Sequence, residues 1–354
     1  MGRQGATDID LATVRTALDS LREPDGTRSL DPNEIADVVT EGNWAGVVIG
    51  RDEPSESLLP RAHAHLATAF PNIDFEIRAG RLVFRGGRGV GEGRHVVAVF
   101  GGKGGVGKST LAVNLALTLS AMGVSVGIVD GDLSAPDLPH LLGIHQTEAP
   151  SGFGWQLLSR KVRPPSQRTQ PQERFGIELM SVGFLVPERV APVLAGRTLV
   201  STVLRYLVFD VAWKADVLVM DAPPGTGDEL QTMARELPLS GAIFVTTPQD
   251  LAQMDAERTL TLLRENNVPV IGWVQNMAEL NCPHCQRQID LFGSSSRLSD
   301  AGLPVLGRIP FDVKLSATAD EGRPLVLGDP TGPIAYEFAK IGSAVRRWLA
   351  DHEN

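Results

Sequence analysis

Residues 96–110 read VVAVFGGKGGVGKST, an apolar run that passes directly into a glycine-rich loop. From Gly102 the loop fits the pattern Gly-x4-Gly-Lys-Ser, and leucines then recur at helical spacing. In this context glycine lets backbone N–H groups surround phosphate oxygens, and the helix N-terminus adds partial positive charge. The stretch therefore predicts a nucleotide-binding loop, whose candidate contacts are Gly102, Lys103, Gly104, Gly105, Val106, Gly107, Lys108, Ser109 and Thr110.

Aspartates close two apolar runs downstream of the loop, at the strand ends where open α/β sheets bind ligands. Asp130-Gly131-Asp132 follows one run, and Asp221 follows another. Beside a phosphate loop, an aspartate at a strand end suits Mg²⁺, which we assign to Asp221 and the Ser109 hydroxyl. Asp132 is the candidate for orienting the attacking water, and Lys108 for contacting the β and γ phosphates.

The pattern after residue 95 is one of short apolar runs separated by helical stretches. This alternation is typical of buried parallel strands joined by crossover helices. It predicts an α/β domain over residues 95–354, with a doubly wound, mostly parallel sheet. The candidate strands are 96–100, 125–129, 177–180, 217–220, 242–245, 270–274 and 305–306.

The residues before the loop have a different organisation. Residues 1–84 combine helical apolar spacing from Leu11 to Leu21 with short strand-like runs, which predicts a small α+β domain. Residues 85–94 contain five glycines and no apolar periodicity, so they predict a linker. The stretch 146–174 is rich in Pro, Gln, Arg and Ser, and it predicts a long surface loop.

Composition and charge argue against several classes of protein. The 354 residues include 33 Lys and Arg against 42 Asp and Glu, a net charge of −9. That balance argues against nucleic acid and membrane as partners. The polar start of the chain does not resemble a signal peptide, and two cysteines cannot build a disulfide scaffold. We therefore expect a cytoplasmic location.

Both cysteines lie in one run, Cys282-Pro283-His284-Cys285. The spacing alone allows a redox dithiol, half of a zinc site, half of an iron–sulfur site, or two incidental thiols. Four-thiolate sites need twice the cysteines that one chain holds, so such a site would require a second copy of the chain. His284 is a candidate third ligand, but its place between the two cysteines favours a side chain that faces solvent.

The second lysine of the loop, Lys103, makes the pattern more specific. The run Gly101 to Thr110 resembles the deviant Walker A motif of MinD-like ATPases. In that class the signature lysine reaches across a nucleotide-sandwich dimer to the partner's phosphates. Lys103 occupies its place, which by resemblance makes it a third catalytic residue beside Lys108 and Asp132.

Several ordered motifs together are similar to the Mrp family of iron–sulfur cluster carrier ATPases. They are the deviant loop, the aspartate runs at 130–132 and 221–228, the run 246–250, and 276–285. The resemblance implies an ATP-hydrolysing homodimer that holds a labile [4Fe-4S] cluster between Cys282 and Cys285 of both subunits. It also implies transfer to apo iron–sulfur client proteins and an adenine contact at Asn276.

Other functions compete with this interpretation. A MinD- or ParA-type positioning ATPase would act on membrane or DNA, and membrane forms end in a basic amphipathic helix. Here the C-terminal apolar stripe carries mixed charges, which favours a core-packing helix. A reductase resembling nitrogenase iron protein would draw its cluster cysteines from two separate places in the chain, whereas this chain has a single pair.

The first domain lacks the cysteine of the related maturation factors, so we expect a docking or regulatory role for it.

Overall fold

The computed structural model describes residues 9–22, 27–41, 43–51, 57–79, 82–85, 95–144, 168–185, 197–225, 227–282, 284–285, 287–292 and 297–352. The chain divides into two compact units. Residues 1–94 and 158–170 form the first, and residues 95–157 and 171–354 form the second. Of the predicted linker, Arg85 ends a strand and residues 86–94 lie outside the described residues.

The first unit contains a four-stranded sheet with two helices packed in its core. Its strands lie side by side in chain order, with the middle pair parallel and the outer pairs antiparallel. Asp10 caps the first helix, since its carboxylate accepts the N–H of Thr13. Alternate strand residues and the helices' apolar stripes bury one hydrophobic core. The elements are α1 (Leu11–Leu18), β1 (Ile35–Glu41), β2 (Trp44–Ile49), α2 (Leu58–Ala69), β3 (Asp74–Ala79) and β4 (Leu82–Arg85).

The stretch predicted as one long loop is divided in the structure. Residues 145–167 lie outside the described residues, and 168–170 belong to the first unit. Residues 172–174 form a strand, β7 (Gln172–Arg174), antiparallel to β8 (Ile177–Met180), so the loop prediction is wrong there. A two-residue turn joins them, and both Phe175 and Gly176 have positive φ. Such a turn matches the twist of a tight hairpin.

Among its described residues, the second unit contains a nine-stranded, mostly parallel sheet. Its strand order is β12 (Gln288–Ile289), β11 (Val270–Asn281), β10 (Gly241–Thr246), β5 (His95–Phe100), β9 (Val217–Asp221), β6 (Val126–Asp130), β8 and β7, and β13 (Val305–Phe311) also pairs with β11. The central strand β5 is buried along residues 96–100, as its continuous apolar run predicts. The fold class predicted from the sequence is confirmed.

Helices connect these strands. The helix after the phosphate loop, α3 (Lys108–Ala121), is apolar nearly all round and buried along its length. The others are α4 (Leu138–Leu141), α5 (Arg197–Phe209), α6 (Asp228–Glu236), α7 (Asp250–Glu265), α8 (Arg297–Asp300), α9 (Val313–Asp320), α10 (Leu325–Gly328) and α11 (Pro333–Asp351).

The C-terminal helix α11 packs into the core. Its apolar face is buried through Ile334, Phe338, Ile341 and Val345, against α3 and β13. The core-packing interpretation of this stripe is therefore confirmed. None of the described helices combines the length and apolar content that a transmembrane span requires.

Candidate functional site

The phosphate loop spans the gap between β5 and α3, at the carboxyl end of the central strand. Gly107 precedes α3 with φ 93°, a left-handed conformation that glycine adopts without strain. A side chain at this position would also collide with the Asn276 amide. The first N–H groups of α3 are consequently directed at the loop, where an anion can accept them.

Asn276 holds the loop from the neighbouring part of the sheet. It lies in β11, is buried, and donates a hydrogen bond from Nδ2 to the carbonyl oxygen of Val106 across 2.8 Å. The sequence suggested an adenine contact for Asn276, and that contact stays a prediction. What the structure adds is a direct bond between β11 and the loop.

Lys108 and Ser109 begin α3 and face the end of β9. Burial raises the pKa of the Asp221 carboxyl to about 7. A hydrogen bond from the Ser109 hydroxyl, and then the positive charge of the buried Lys108, lower this pKa but do not offset the effect of burial.

Asp130 stands beside Asp221, because the two residues are register partners on β6 and β9. Its Oδ2 accepts the Ser181 hydroxyl at 2.9 Å and the N–H of Leu138 at 3.3 Å. Burial, and then the charge of Asp221, raise the pKa of Asp130 well above its ordinary value. Asp130 was not among the site residues predicted from the sequence, although its place at the end of an apolar run is the signal that marks it.

The donor set fits Mg²⁺. In the described structure, Oδ1 of Asp130 and Oδ1 of Asp221 are both buried without a hydrogen-bond partner. Together with the Ser109 hydroxyl, they supply the hard oxygen donors that Mg²⁺ prefers. A dication there would stabilise the ionised carboxylates that burial disfavours.

Asp132 is half-buried at the start of the segment after β6. Its Oδ1 accepts the Ser134 hydroxyl at 2.9 Å and the N–H of Ala135 at 3.1 Å. These bonds fix the carboxylate in a local turn. Its negative charge, after burial, helps to raise the pKa of Glu229 to about 7 and also raises that of Asp137. Glu229 was given no role from the sequence, because only the fold brings it near Asp132, whereas Asp137 follows Asp132 by five residues.

The loop's second lysine, Lys103, is half-buried and does not point freely into solvent. Its Nζ donates a hydrogen bond to Oε1 of Gln249, the residue before α7, across 2.8 Å. Sequence analysis gave Gln249 no role. The trans contact expected for Lys103 stays a prediction.

The cysteine pair lies in the turn that follows β11. The N–H of Cys282 donates to the carbonyl oxygen of Arg287 at 2.9 Å, where β11 returns as β12. Both thiols are free, with Cys282 half-buried and Cys285 exposed, and His284 is exposed as expected. Hydrogen bonds from the backbone of Cys285 and His284, and then from the Cys285 thiol, lower the pKa of Cys282. Within the described residues, no third histidine, cysteine or carboxylate completes a metal-binding group with them.

Comparisons with known proteins identify the family to which this chain belongs. The ParA family model, described as NUBPL iron-transfer P-loop NTPase, matches residues 92–346. The chain belongs to this family of iron-transfer P-loop NTPases. An iron-sulfur cluster carrier protein of Aquifex aeolicus is 37% identical over 265 residues, 74% of this chain and 70% of the relative. The mouse iron-sulfur cluster transfer protein NUBPL is 38% identical over 262 residues, 72% and 78% of the two chains.

Solved structures agree on the fold of this iron-transfer NTPase. A nucleotide-binding protein from Archaeoglobus fulgidus, in complex with ADP, is 32% identical with a TM-score of 0.53. It covers 69% of this chain and 91% of its own. The septum site-determining protein MinD of Pyrococcus horikoshii, complexed with Mg-ADP, shares the fold at 23% identity and a TM-score of 0.56, over 74% and 99% of the chains.

The family match covers every candidate site residue of the iron-transfer NTPase. The loop, both aspartate strands and the cysteine turn lie within 92–346, and residues 1–91 lie outside it. The motif-based assignment to the iron–sulfur carrier ATPases is confirmed at the level of family. As a P-loop NTPase, the protein is an ATP hydrolase.

Proposed function

We propose that this protein is an ATP-dependent carrier that holds a labile [4Fe-4S] cluster between two copies of itself and passes it to apo iron–sulfur proteins. One observation carries the proposal. Strand β11 bears Asn276, which is bonded to the phosphate loop, and the same strand leads six residues later to Cys282. Nucleotide and cluster would therefore act on one strand, at its middle and just beyond its carboxyl end.

The nucleotide half of the proposal assigns a role to each residue. Backbone N–H groups from Gly102 to Thr110 and the Lys108 ammonium bind the phosphates of ATP. Ser109, Asp130 and Asp221 hold Mg²⁺, which supplies charge neutralisation at the β and γ phosphates when bound. Asp132 orients the attacking water, Lys103 reaches the phosphates of the partner subunit, and Asn276 contacts adenine.

The cluster is cargo, and its ligands are the two thiolates of each copy. One chain contains two cysteines, whereas a [4Fe-4S] cluster takes four. A two-fold axis would bring two pairs together and so makes the homodimer a requirement of the site. Cys285 is exposed and the backbone stabilises the Cys282 thiolate, so the cluster would be reached easily by an acceptor. Free thiols also suit a reducing, cytoplasmic compartment.

Anaerobic reconstitution with ferrous iron and sulfide tests this function. We expect about four irons per dimer, in line with four thiolates per cluster. Cys282→Ser and Cys285→Ser should each remove most of the iron and abolish transfer to an apoprotein. ADP binding should persist in both variants, because the phosphate loop is elsewhere in the chain.

His284→Ala is the matched control, since His284 lies between the cysteines and is exposed. It should retain the full iron content. Zinc that resists chelators, or full iron loading in the double cysteine variant, would contradict the carrier function.

A further inference from the structure

Lys103 has a partner within its own chain. Its Nζ donates a hydrogen bond to Gln249 Oε1 across 2.8 Å, within the range of a good hydrogen bond from an ammonium group. Phosphate oxygens bound to another subunit would have to compete with Gln249 for the Lys103 ammonium. The resting position of Lys103 is therefore set by Gln249.

Backbone packing fixes both ends of the bond. A side chain on Gly102 would collide with the backbone of Asp255 and Ala256 in α7, so the loop lies directly on that helix. Gln249 precedes α7 and makes no capping hydrogen bond with its side chain. Its amide oxygen is thus held next to Lys103 without serving the helix itself.

The neighbouring part of the loop leaves room for the lysine to move. A side chain built on Gly104 or Gly105 would meet no described atom within 4 Å. The lysine stem has four flexible carbons, and its ammonium is a compact charge that binds any acceptor within reach. Once it leaves Gln249, the amine can extend past these glycines.

We propose that Gln249 is a positioning residue that retains Lys103 within its own subunit until the phosphates of a second nucleotide-bound subunit displace it. This inference rests on the proposed function, in which Lys103 acts across the dimer. The amide oxygen is a neutral acceptor, so it holds the ammonium less strongly than phosphate oxygens do. A carboxylate in its place would retain the lysine, and an apolar side chain would release it.

Sedimentation of the full-length chain with a non-hydrolysable ATP analogue measures this competition as a dimer dissociation constant. Gln249→Glu should raise that constant about three- to tenfold, and Gln249→Leu should lower it by a similar factor, the scale of one charge-assisted hydrogen bond in a half-exposed site. Opposite effects of the two variants are the signature, because damage to α7 would weaken the dimer in both. The affinity of the single subunit for ADP should stay unchanged.

Lys103→Ala is the reference background. In it, both Gln249 substitutions should lose their effect on the dimer, as a double-mutant cycle requires for a pair that acts together. If Lys103→Ala loosens the dimer but Gln249→Glu and Gln249→Leu change nothing, Gln249 has no positioning role and the trans lysine stands. A weaker dimer in Gln249→Leu would make Gln249 itself an intersubunit contact and overturn the inference. If Lys103→Ala leaves the dimer unchanged, the proposed trans contact fails first.

Discussion

Carboxyl groups crowd the buried ammonium of Lys108. Asp221 and Asp137 both lie within its electrostatic reach, and Asp130 adjoins Asp221. Burial disfavours the charged form of each carboxyl, while function as a metal ligand requires it. A dication bound at these carboxyls would favour their ionised forms and so oppose the effect of burial.

Stability should therefore depend on pH through Asp221. Its pKa is about 7 in the folded chain against an ordinary value of 3.8, so between these values the folded state binds more protons than the unfolded state. Raising the pH through this window removes stability, by at most about 1.4 kcal/mol per pH unit for one carboxyl. Thermal unfolding in chelator should show a shallower loss with pH for Asp221→Asn than for the wild type.

The matched control is Asp351→Asn at the exposed end of α11, which should follow the wild-type curve. Mg²⁺ with ADP should flatten the wild-type curve as well. A wild-type stability that falls no faster than that of Asp221→Asn over this range would contradict the assignment.

Measurements of kcat and of nucleotide affinity together distinguish the proposed roles of Asp132 and Lys108. Asp132→Ala should lower kcat about 100-fold with little change in nucleotide affinity, because a group that positions water acts on the chemical step. Lys108→Ala should lower both kcat and nucleotide affinity, since the proposed ammonium contact with the phosphates is present before and during the reaction. Ser134→Ala removes one hydrogen bond to Asp132 and should give a smaller loss of kcat. Wild-type turnover in Lys108→Ala would refute the loop assignment.

Among the elements, the buried parallel strands were predictable and the edge strands were not. The central strands β5, β6 and β9 are continuous apolar runs, and the structure places each within one residue of its predicted bounds. The strands β7 and β12 are short and mostly polar, because one side of an edge strand faces solvent. Periodicity carries no signal for such strands.

Strand β11 shows why part of the site was missed. Its predicted run ends at Val274, yet the strand continues to Asn281, because polar residues such as Asn276 are buried against the loop. A polar residue that is satisfied by tertiary hydrogen bonds looks like a strand end in the sequence. The chemistry of the loop could be predicted from local spacing. The neighbours that Gln249 provides for Lys103, and Glu229 for Asp132, could not, because they depend on long-range packing.

At the scale of the whole molecule, the chain contributes to its first unit twice. Residues 168–170 follow α4 by more than twenty positions and belong to the same unit as the N-terminal sheet. Arg168 pairs with Glu76 of β3 at 2.8 Å, and Glu76 also accepts Arg78 at 3.2 Å. The Arg168 guanidinium lies 5.5 Å from the ring centre of Trp44. The first unit is thus completed by a segment that no boundary near residue 85 would include.

Removing the guanidinium should loosen the first unit selectively. Glu76 is 3% exposed, so loss of Arg168 leaves a buried carboxylate with less compensation, although Arg78 still pairs with it. We expect Arg168→Ala to lower the local stability of β3 by about 1–3 kcal/mol, which hydrogen exchange reads as a roughly ten- to hundredfold faster exchange of its amides. Amides of β5 and β9, in the second unit, should exchange at the wild-type rate. Arg168→Met retains an apolar stem over Trp44. The difference between the Ala and Met variants would therefore measure the contribution of packing, and the loss that remains in Arg168→Met would measure the contribution of charge. Unchanged protection of β3 in Arg168→Ala would mean that the N-terminal sheet is stable without this segment.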